Sequence, residues 1–304
     1  MGNDLETASG DGFAPVTADS VTKTAIGSGV RAAAAGTQSG RRRVLVTDFD
    51  DTITTKDTVG ILQSLSRCKS PPMTYFFEFY LAQPCPARDS SVQDLLEREL
   101  DYQRRARKRG VAALEELERF DYFKDVPVVD VTRLPLEEIE RPGYREAVGR
   151  ERGLFDDMYV LSLNWSREYI HRFCPAEVPL SHVLCDALLV DEGGETYTGR
   201  FSKKLVAGAD KYDVMGREIL PAVGDAEVWY VGDSDPDLCC ILRPGVQGVI
   251  MYTNDKRFGE VLEVLGAERP EEDDWEYFGV QEGVWCVRNW VSLCKLVEAQ
   301  SLGG

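Results

Sequence analysis

The sequence predicts an α/β fold: a doubly wound, mainly parallel sheet with a helical domain inserted behind its first strand. Three observations predict it. Short apolar runs rich in β-branched and aromatic residues recur at Val44–Thr47, Met158–Leu161 and Val228–Val231, and each ends abruptly in acids, hydroxyls or amides. Buried parallel strands look this way when they deliver chemistry to the carboxyl edge of a sheet. Helical patterns separate the later runs. Roughly a hundred residues of mainly helical character lie between the first run and the second, which is too long for a connection.

Composition sets the outer bounds. A chain of 304 residues, 43% hydrophobic, can bury one large core and carry an insertion. A net charge of −17 argues against nonspecific binding to nucleic acid or to an anionic membrane. It would also repel an anionic substrate unless a local cation overrode the global field, and a divalent metal is the obvious candidate. Eight scattered cysteines without a Cys-x-x-Cys pair read as reduced thiols in a cytosolic-type compartment. His171 and His182 form no cluster, and no apolar stretch approaches the length of a membrane span. Cytoplasmic residence is expected, with the nucleus left open; the oligomeric state is not legible.

Residues 1–40 are rich in Ala, Gly, Ser and Thr with Phe13 as the lone aromatic, and read as a disordered tail. Arg41-Arg42-Arg43 then flanks the opening strand. The run Val44 to Thr47 leads into Asp48-Phe49-Asp50, two carboxylates at i and i+2 that an extended chain points to the same side. One can attack while the other moves protons or helps hold a cation.

Beyond Thr52 the pattern turns helical. Asp57 can cap a helix carrying Val59, Leu62 and Leu65. A second helix is expected from about Ser91 to Lys108, and Val126 to Val131 is a weak strand candidate because of Pro127. The basic run Arg104–Arg109 reads as a solvated helix face, with an anion-steering patch as the alternative. Residues 58–150 are therefore taken as a helical cap domain, and 41–57 with 151–304 as the core domain.

The second strand, from Met158, ends in Ser162-Leu163-Asn164-Trp165-Ser166, hydroxyls and amides placed to hold a phosphate oxygen beside a helix start. Val183–Val190 and Thr196–Phe201 read as two strands joined by a Gly-Gly turn. Lys203, Lys204 and Lys211 follow, the last opening a helix. The strand Glu227–Val231 runs into Gly232-Asp233-Ser234-Asp235-Pro236-Asp237, and Gly245–Met251 is one strand more. The acidic stretch from Asp255 to Glu282 reads as solvated surface, and a closing helix is expected from about Trp285 to Ala299.

Asp48-x-Asp50, Ser162, Lys211 and Gly232-Asp233-x-x-x-Asp237, in that order at strand ends, resemble the four motifs of the haloacid dehalogenase (HAD) superfamily, over about residues 42–255. The resemblance implies a Rossmann-like core and assigns roles. Asp48 would be the nucleophile, forming an aspartyl-phosphate. Asp50 would be the general acid and base. Ser162, Asn164 and Lys211 would bind the phosphoryl group, with Lys203 or Lys204 as competitors for the lysine role. Asp48, Asp50 through its carbonyl, and Asp233 would hold Mg²⁺. Asp237 would orient Asp233 or Lys211 from behind.

Asp at position 50 marks phosphatases and mutases rather than dehalogenases or ion pumps. The 112 positions from Asp50 to Ser162 hold a cap, whereas the 49 from Ser162 to Lys211 do not. This looks like the phosphoserine-phosphatase-like branch, which favours small phosphorylated metabolites. Two departures stand out. Asp57 replaces the Glu that meets the ammonium of phosphoserine, and Ser162–Ser166 lacks the usual Gly-rich turn. The latter is closer to fungal HAD-like hydrolases and to the HAD domain of plant thiamine-monophosphate phosphatases. Asp57 and Trp165 are thus candidate substrate contacts, Trp165 by stacking on a flat group. The expected function is a Mg²⁺-dependent phosphatase of a small metabolite. The alternatives are a phosphomutase or phosphotransferase, and a catalytically quiet HAD-fold interaction protein.

Overall fold

A computed structural model describes residues 41–303 apart from 69, 135, 137–138 and 150; the tail expected over 1–40 lies outside the described residues. Strand β1 (Arg43–Thr47) is the hub. Parallel neighbours lie on both sides, β2 (Asp157–Ser162) and β6 (Glu227–Gly232), with Thr47 in register with Val160 and with Val231. Its Arg flank is tied down: Arg42 pairs with Asp157 at 2.7 Å and Arg43 with Glu227 at 3.0 Å.

Seven strands form the main sheet in the order β3-β2-β1-β6-β7-β9-β8. The others are β3 (Val183–Cys185), β7 (Val246–Met251), β8 (Tyr277–Gln281) and β9 (Val284–Val287), with only β8 antiparallel. The chain leaves β1 toward β2 and β3, then returns across β1 to β6. The carboxyl ends of β2, β1 and β6 therefore sit side by side at a topological switch point, where open α/β sheets bind ligands.

Alternation along β1 builds two cores. Leu45 faces one layer with Trp229, Val249, helix α5 (Arg167–His171) and helix α10 (Trp290–Gly303). Val44 and Val46 face the other with Tyr230, Ile250, helix α6 (Gly208–Val214) and helix α9 (Asp255–Leu265). Among the described residues no helix is long and apolar enough to cross a membrane.

The segment between β1 and β2 is helical, as expected: α1 (Val59–Gln63), α2 (Met73–Ala82), α3 (Leu95–Arg119) and α4 (Tyr144–Val148). Helix α3 runs eleven residues past its expected end at Lys108, because Gly110 is not a breaker here. A Cβ on Gly110 would lie 2.5 Å from Val206 Cγ1, so the glycine permits close packing of helix on core. The basic run on this helix is in part the expected solvated face, with Arg104, Arg105 and Lys108 exposed, and in part a brace. Arg107 makes two 2.9 Å bonds to Asp210 and a 2.6 Å bond to the Lys203 carbonyl, while Arg105 pairs with Asp101 and Arg109 caps the Tyr80 carbonyl.

Four boundaries differ from expectation. Val126–Val131 is no strand: Val128–Arg133 winds as a 3₁₀ helix and Pro127 makes only an isolated bridge to Thr196, because its missing N–H cannot feed a ladder. Val183–Val190 splits at the buried Asp186, which accepts from Ser202 and from the Lys204 N–H; β3 stays in the main sheet while β4 (Leu188–Val190) pairs with β5 (Tyr197–Phe201). The acidic stretch is more than surface, since Phe258, Val261 and Leu262 bury one face of α9 and β8–β9 widen the sheet. Finally, Trp285 belongs to β9, so the closing helix begins at Trp290.

Candidate active site at the carboxyl edge

The Asp48 N–H donates to the Val231 carbonyl at 2.8 Å, extending the β1–β6 ladder one residue and fixing where its side chain leaves the sheet. The carboxylate is buried. Its Oδ1 accepts from Lys211 Nζ at 2.7 Å, and the same ammonium donates to Asp237 Oδ1 at 2.8 Å. Lys211, at the start of α6, is thus the lysine of the site. Lys203 pairs instead with Glu118 at 2.7 Å.

Asp237 stands behind this pair. Its Oδ1 also accepts the Tyr230 hydroxyl at 2.7 Å, and its Oδ2 accepts the Asp233 and Ser234 N–H groups at 3.2 Å. A side chain at position 232 is impossible: a Cβ there would meet Asp237 Cγ at 2.3 Å. The glycine lets the β6 end fold onto this carboxylate.

Asp50 is held by a different set. Its Oδ1 accepts the Thr58 N–H at 2.7 Å and hydroxyl at 2.6 Å, and its Oδ2 accepts Asn164 Nδ2 at 2.8 Å. The amide of Asn164, expected on a phosphoryl group, is therefore committed to Asp50 and, at 2.9 Å, to Thr58. Ser162 Oγ, at the end of β2, accepts the Asn164 N–H at 3.1 Å. Asp57 accepts the Val59 N–H at 2.7 Å, but Thr58 rather than Asp57 is the N-cap of α1.

Electrostatics separates the acids. Burial pushes Asp48 well up, helped by the Asp237 and Asp233 charges and opposed by Lys211. Burial, then the charge of Asp57, pushes Asp50 to about 6 against the hydrogen bonds of Asn164 and Thr58. Burial and Asp237 push Asp233 to about 7 against Arg257. Burial alone would lower Lys211; the charges of Asp237 and Asp48 win and hold it protonated.

Asp48, Asp233 and Asp237 each bring one carboxylate oxygen within 4.8 Å of the others. The expected metal set was Asp48, Asp50 and Asp233. The carboxylate of Asp50 is taken up by Thr58 and Asn164, so its carbonyl, the atom expected to serve the metal, is the one it could offer. Buried, oxygen-only donors whose charges raise one another's proton affinity suit a hard divalent cation.

Sequence reasoning missed Arg257. From the start of α9 it donates to Asp233 Oδ2 and to Asp51 Oδ2, both at 2.7 Å. It also missed Thr52, whose hydroxyl donates to Asp233 Oδ1 at 3.1 Å, and Thr58. The rule that chemistry sits just past strand ends would have found Arg257, six residues beyond β7. A cavity of about 390 Å³ gathers Asp48, Asp50, Asp57, Ser162, Asn164, Lys211, Asp233 and Arg257. Trp165 lies in the adjoining cavity, edge-on to Phe123 and Phe201 at 5.8 and 5.1 Å.

Acids at the carboxyl edge of a parallel sheet, a buried lysine on the first of them and a helical segment inserted after the first strand make a charged site at the switch point of an α/β core. The family model of haloacid dehalogenase-like hydrolases matches residues 45–242, about two thirds of the chain, and the chain belongs to that family. It is 26% identical over 311 residues to Cold tolerance protein 1 of Saccharomyces cerevisiae, covering 84% of this chain and 98% of that one. Similar solved structures include a phospho-aspartyl intermediate analogue of phosphoserine phosphatase, at 13% identity, 84% of this chain, 99% of that chain and a TM-score of 0.48. A phosphoserine phosphohydrolase-like protein from Francisella tularensis is similar at 12% identity, the same coverage and a TM-score of 0.46.

Proposed function

We propose that this hydrolase is a Mg²⁺-dependent phosphomonoesterase that releases phosphate from a small metabolite through an aspartyl-phosphate on Asp48. The observation that carries the reading is the separate fixing of two carboxylates in one cavity, Asp48 by Lys211 and Asp50 by Thr58 and Asn164.

With Oδ1 held by Lys211, Asp48 attacks phosphorus through Oδ2. The Oδ2–P bond forms as the ester P–O bond breaks, and the departing alkoxide takes the proton of Asp50. A proton affinity near 6 lets Asp50 hold that proton in weakly acidic solution and exist as the base needed next. Asp50 then deprotonates water, whose oxygen bonds to phosphorus as the Oδ2–P bond breaks, freeing phosphate and Asp48. Ser162 donates its hydroxyl to a phosphoryl oxygen while accepting from the Asn164 N–H. Lys211 balances charge on nucleophile and phosphoryl group. Asp48, Asp233 and the Asp50 carbonyl would hold Mg²⁺, which would supply charge neutralisation for the phosphoryl group. Arg257 sits on Asp233 and belongs to the same balance.

Phosphate release from a panel of phosphoesters, with and without Mg²⁺, tests the reading. The wild type releases phosphate only with the ion. Equal inertness of wild type and Asp48→Asn would overturn it.

A further inference from the structure

A second cavity, of about 680 Å³, opens beside the acidic one, and the two share Asp57, Val59 and Leu163 as wall residues. From that shared wall it runs between α2 and α3, lined by Met73, Phe76, Phe77, Tyr80, Leu117 and Trp165 among others. Its volume lies within the roughly 300–1,000 Å³ of small-molecule sites. We propose that it receives the leaving group, and that the natural substrates are phosphomonoesters of a bulky, largely apolar or aromatic alcohol with no second anionic group. This inference rests on the phosphatase reading above and specifies its substrate class.

Three observations carry it. The lining is apolar over most of its extent, and among the described residues Asp57 is the only charged one in it. A carboxylate or second phosphate on the substrate would face Asp57 there, and Arg109, which reaches the lining, is already engaged, stacked 4.0 Å over the Tyr80 ring and donating to the Tyr80 carbonyl. Two aromatics of the lining stay exposed, Phe77 by 62% and Tyr80 by 39% with Arg109 over its ring, although Phe76 beside them packs edge to face on Tyr75 and Tyr122. An apolar leaving group would take that surface out of water. Lastly, the phosphoryl-binding atoms lie on the far side of the shared wall, so an ester bound there projects its alcohol past Asp57, Val59 and Leu163 into this space. Trp165, in the lining, offers an aromatic surface to a flat group.

The test compares kcat/KM for 1-naphthyl phosphate and hexyl phosphate with that for O-phosphoserine and glycerol phosphate. Acetyl phosphate, which has almost no leaving-group body, serves as the reference. The two apolar esters are expected to exceed the two polar ones by at least about tenfold, the discrimination a few buried methylenes provide. Phe77→Glu, at an exposed position, and Ala113→Phe, which fills the cavity, are each expected to lower the ratio of naphthyl to acetyl phosphate at least about tenfold. If acetyl phosphate is hydrolysed but the polar esters match or beat the apolar ones, or neither variant moves the ratio, the leaving-group pocket is wrong while the phosphatase stands. If no ester including acetyl phosphate is turned over, the phosphatase reading fails and takes this inference with it.

Discussion

The two cavities on either side of Asp57 are built on opposite principles. In the acidic one each carboxylate has named partners: Asp48 on Lys211, Asp50 on Thr58 and Asn164, Asp233 on Thr52 and Arg257. In the apolar one packing aromatics do the work, and among the described residues Asp57 carries the only charge. The first orients reacting atoms through rigid strand ends; the second can accept a shape without reading many polar groups. On the proposed reading the difference separates chemistry, tied to the sheet edge, from specificity, tied to the helices inserted beside it.

Breaking the acidic cavity has the largest effects. Asp48→Asn removes the nucleophile and is expected to lower kcat by at least about 10³-fold for every ester, since residues that act as a unit fail together. Steady-state assays across the panel check this. Asp50→Asn is expected to cost about 10²–10³-fold for alkyl esters and distinctly less for an activated aryl ester, whose leaving group needs no proton. Comparing the two ester types in one variant separates acid catalysis from simple misfolding.

Smaller shifts sharpen the boundary between the cavities. Loss of Asn164 in Asn164→Ala removes a hydrogen bond that favours ionised Asp50, so the proton affinity of Asp50 rises above about 6. The high-pH fall of kcat/KM for alkyl esters, which tracks loss of the Asp50 proton, should move upward. Asp57→Asn removes a repelling charge, so the same limb should move downward. Opposite displacements in two pH–rate profiles are the signature; displacements of the same sign would contradict the assigned charges.

Stability of the metal-free protein follows the same charges. Asp48, Asp50 and Asp233 hold protons more tightly folded than unfolded, so the native state binds the extra protons and stability falls as pH rises from about 4 through about 6 and 7. Thermal midpoints in chelator should therefore lose a few degrees between pH 5 and 7 relative to the same series with Mg²⁺. Identical pH slopes with and without the ion would count against a metal held by these acids.

The acidic cavity was largely legible in the sequence and the apolar one was not. Asp48, Ser162, Lys211 and Asp233 each sit at a strand end or helix start, so local pattern alone brings them to one edge. Asn164 was legible as a site residue but not in its task, because an amide that serves a phosphate and one that serves Asp50 look the same in one dimension. Arg257 hid in a stretch whose net charge is acidic, although it stands just beyond a strand. Of the cavity walls, Trp165 was legible as a candidate substrate contact, whereas Met73, Leu117 and Val206 are ordinary core material, and only the crossing of α2, α3 and the β2 end shows that they enclose space. The basic run on α3 misled for a related reason: Arg107 reaches Asp210 only because Gly110 lets the helix close on Val206.

The most direct test of the central claim is to look for the phosphoryl group on Asp48. Asp50→Asn, slowed in the hydrolytic half, is mixed with an activated aryl phosphate and Mg²⁺, quenched in acid and mapped by peptide mass spectrometry. A burst of phenol equal to the enzyme present, with one phosphoryl group on the peptide at Asp48, is the predicted result. Continued phenol release with Asp48 unmodified, or the phosphoryl group on another residue, would contradict it.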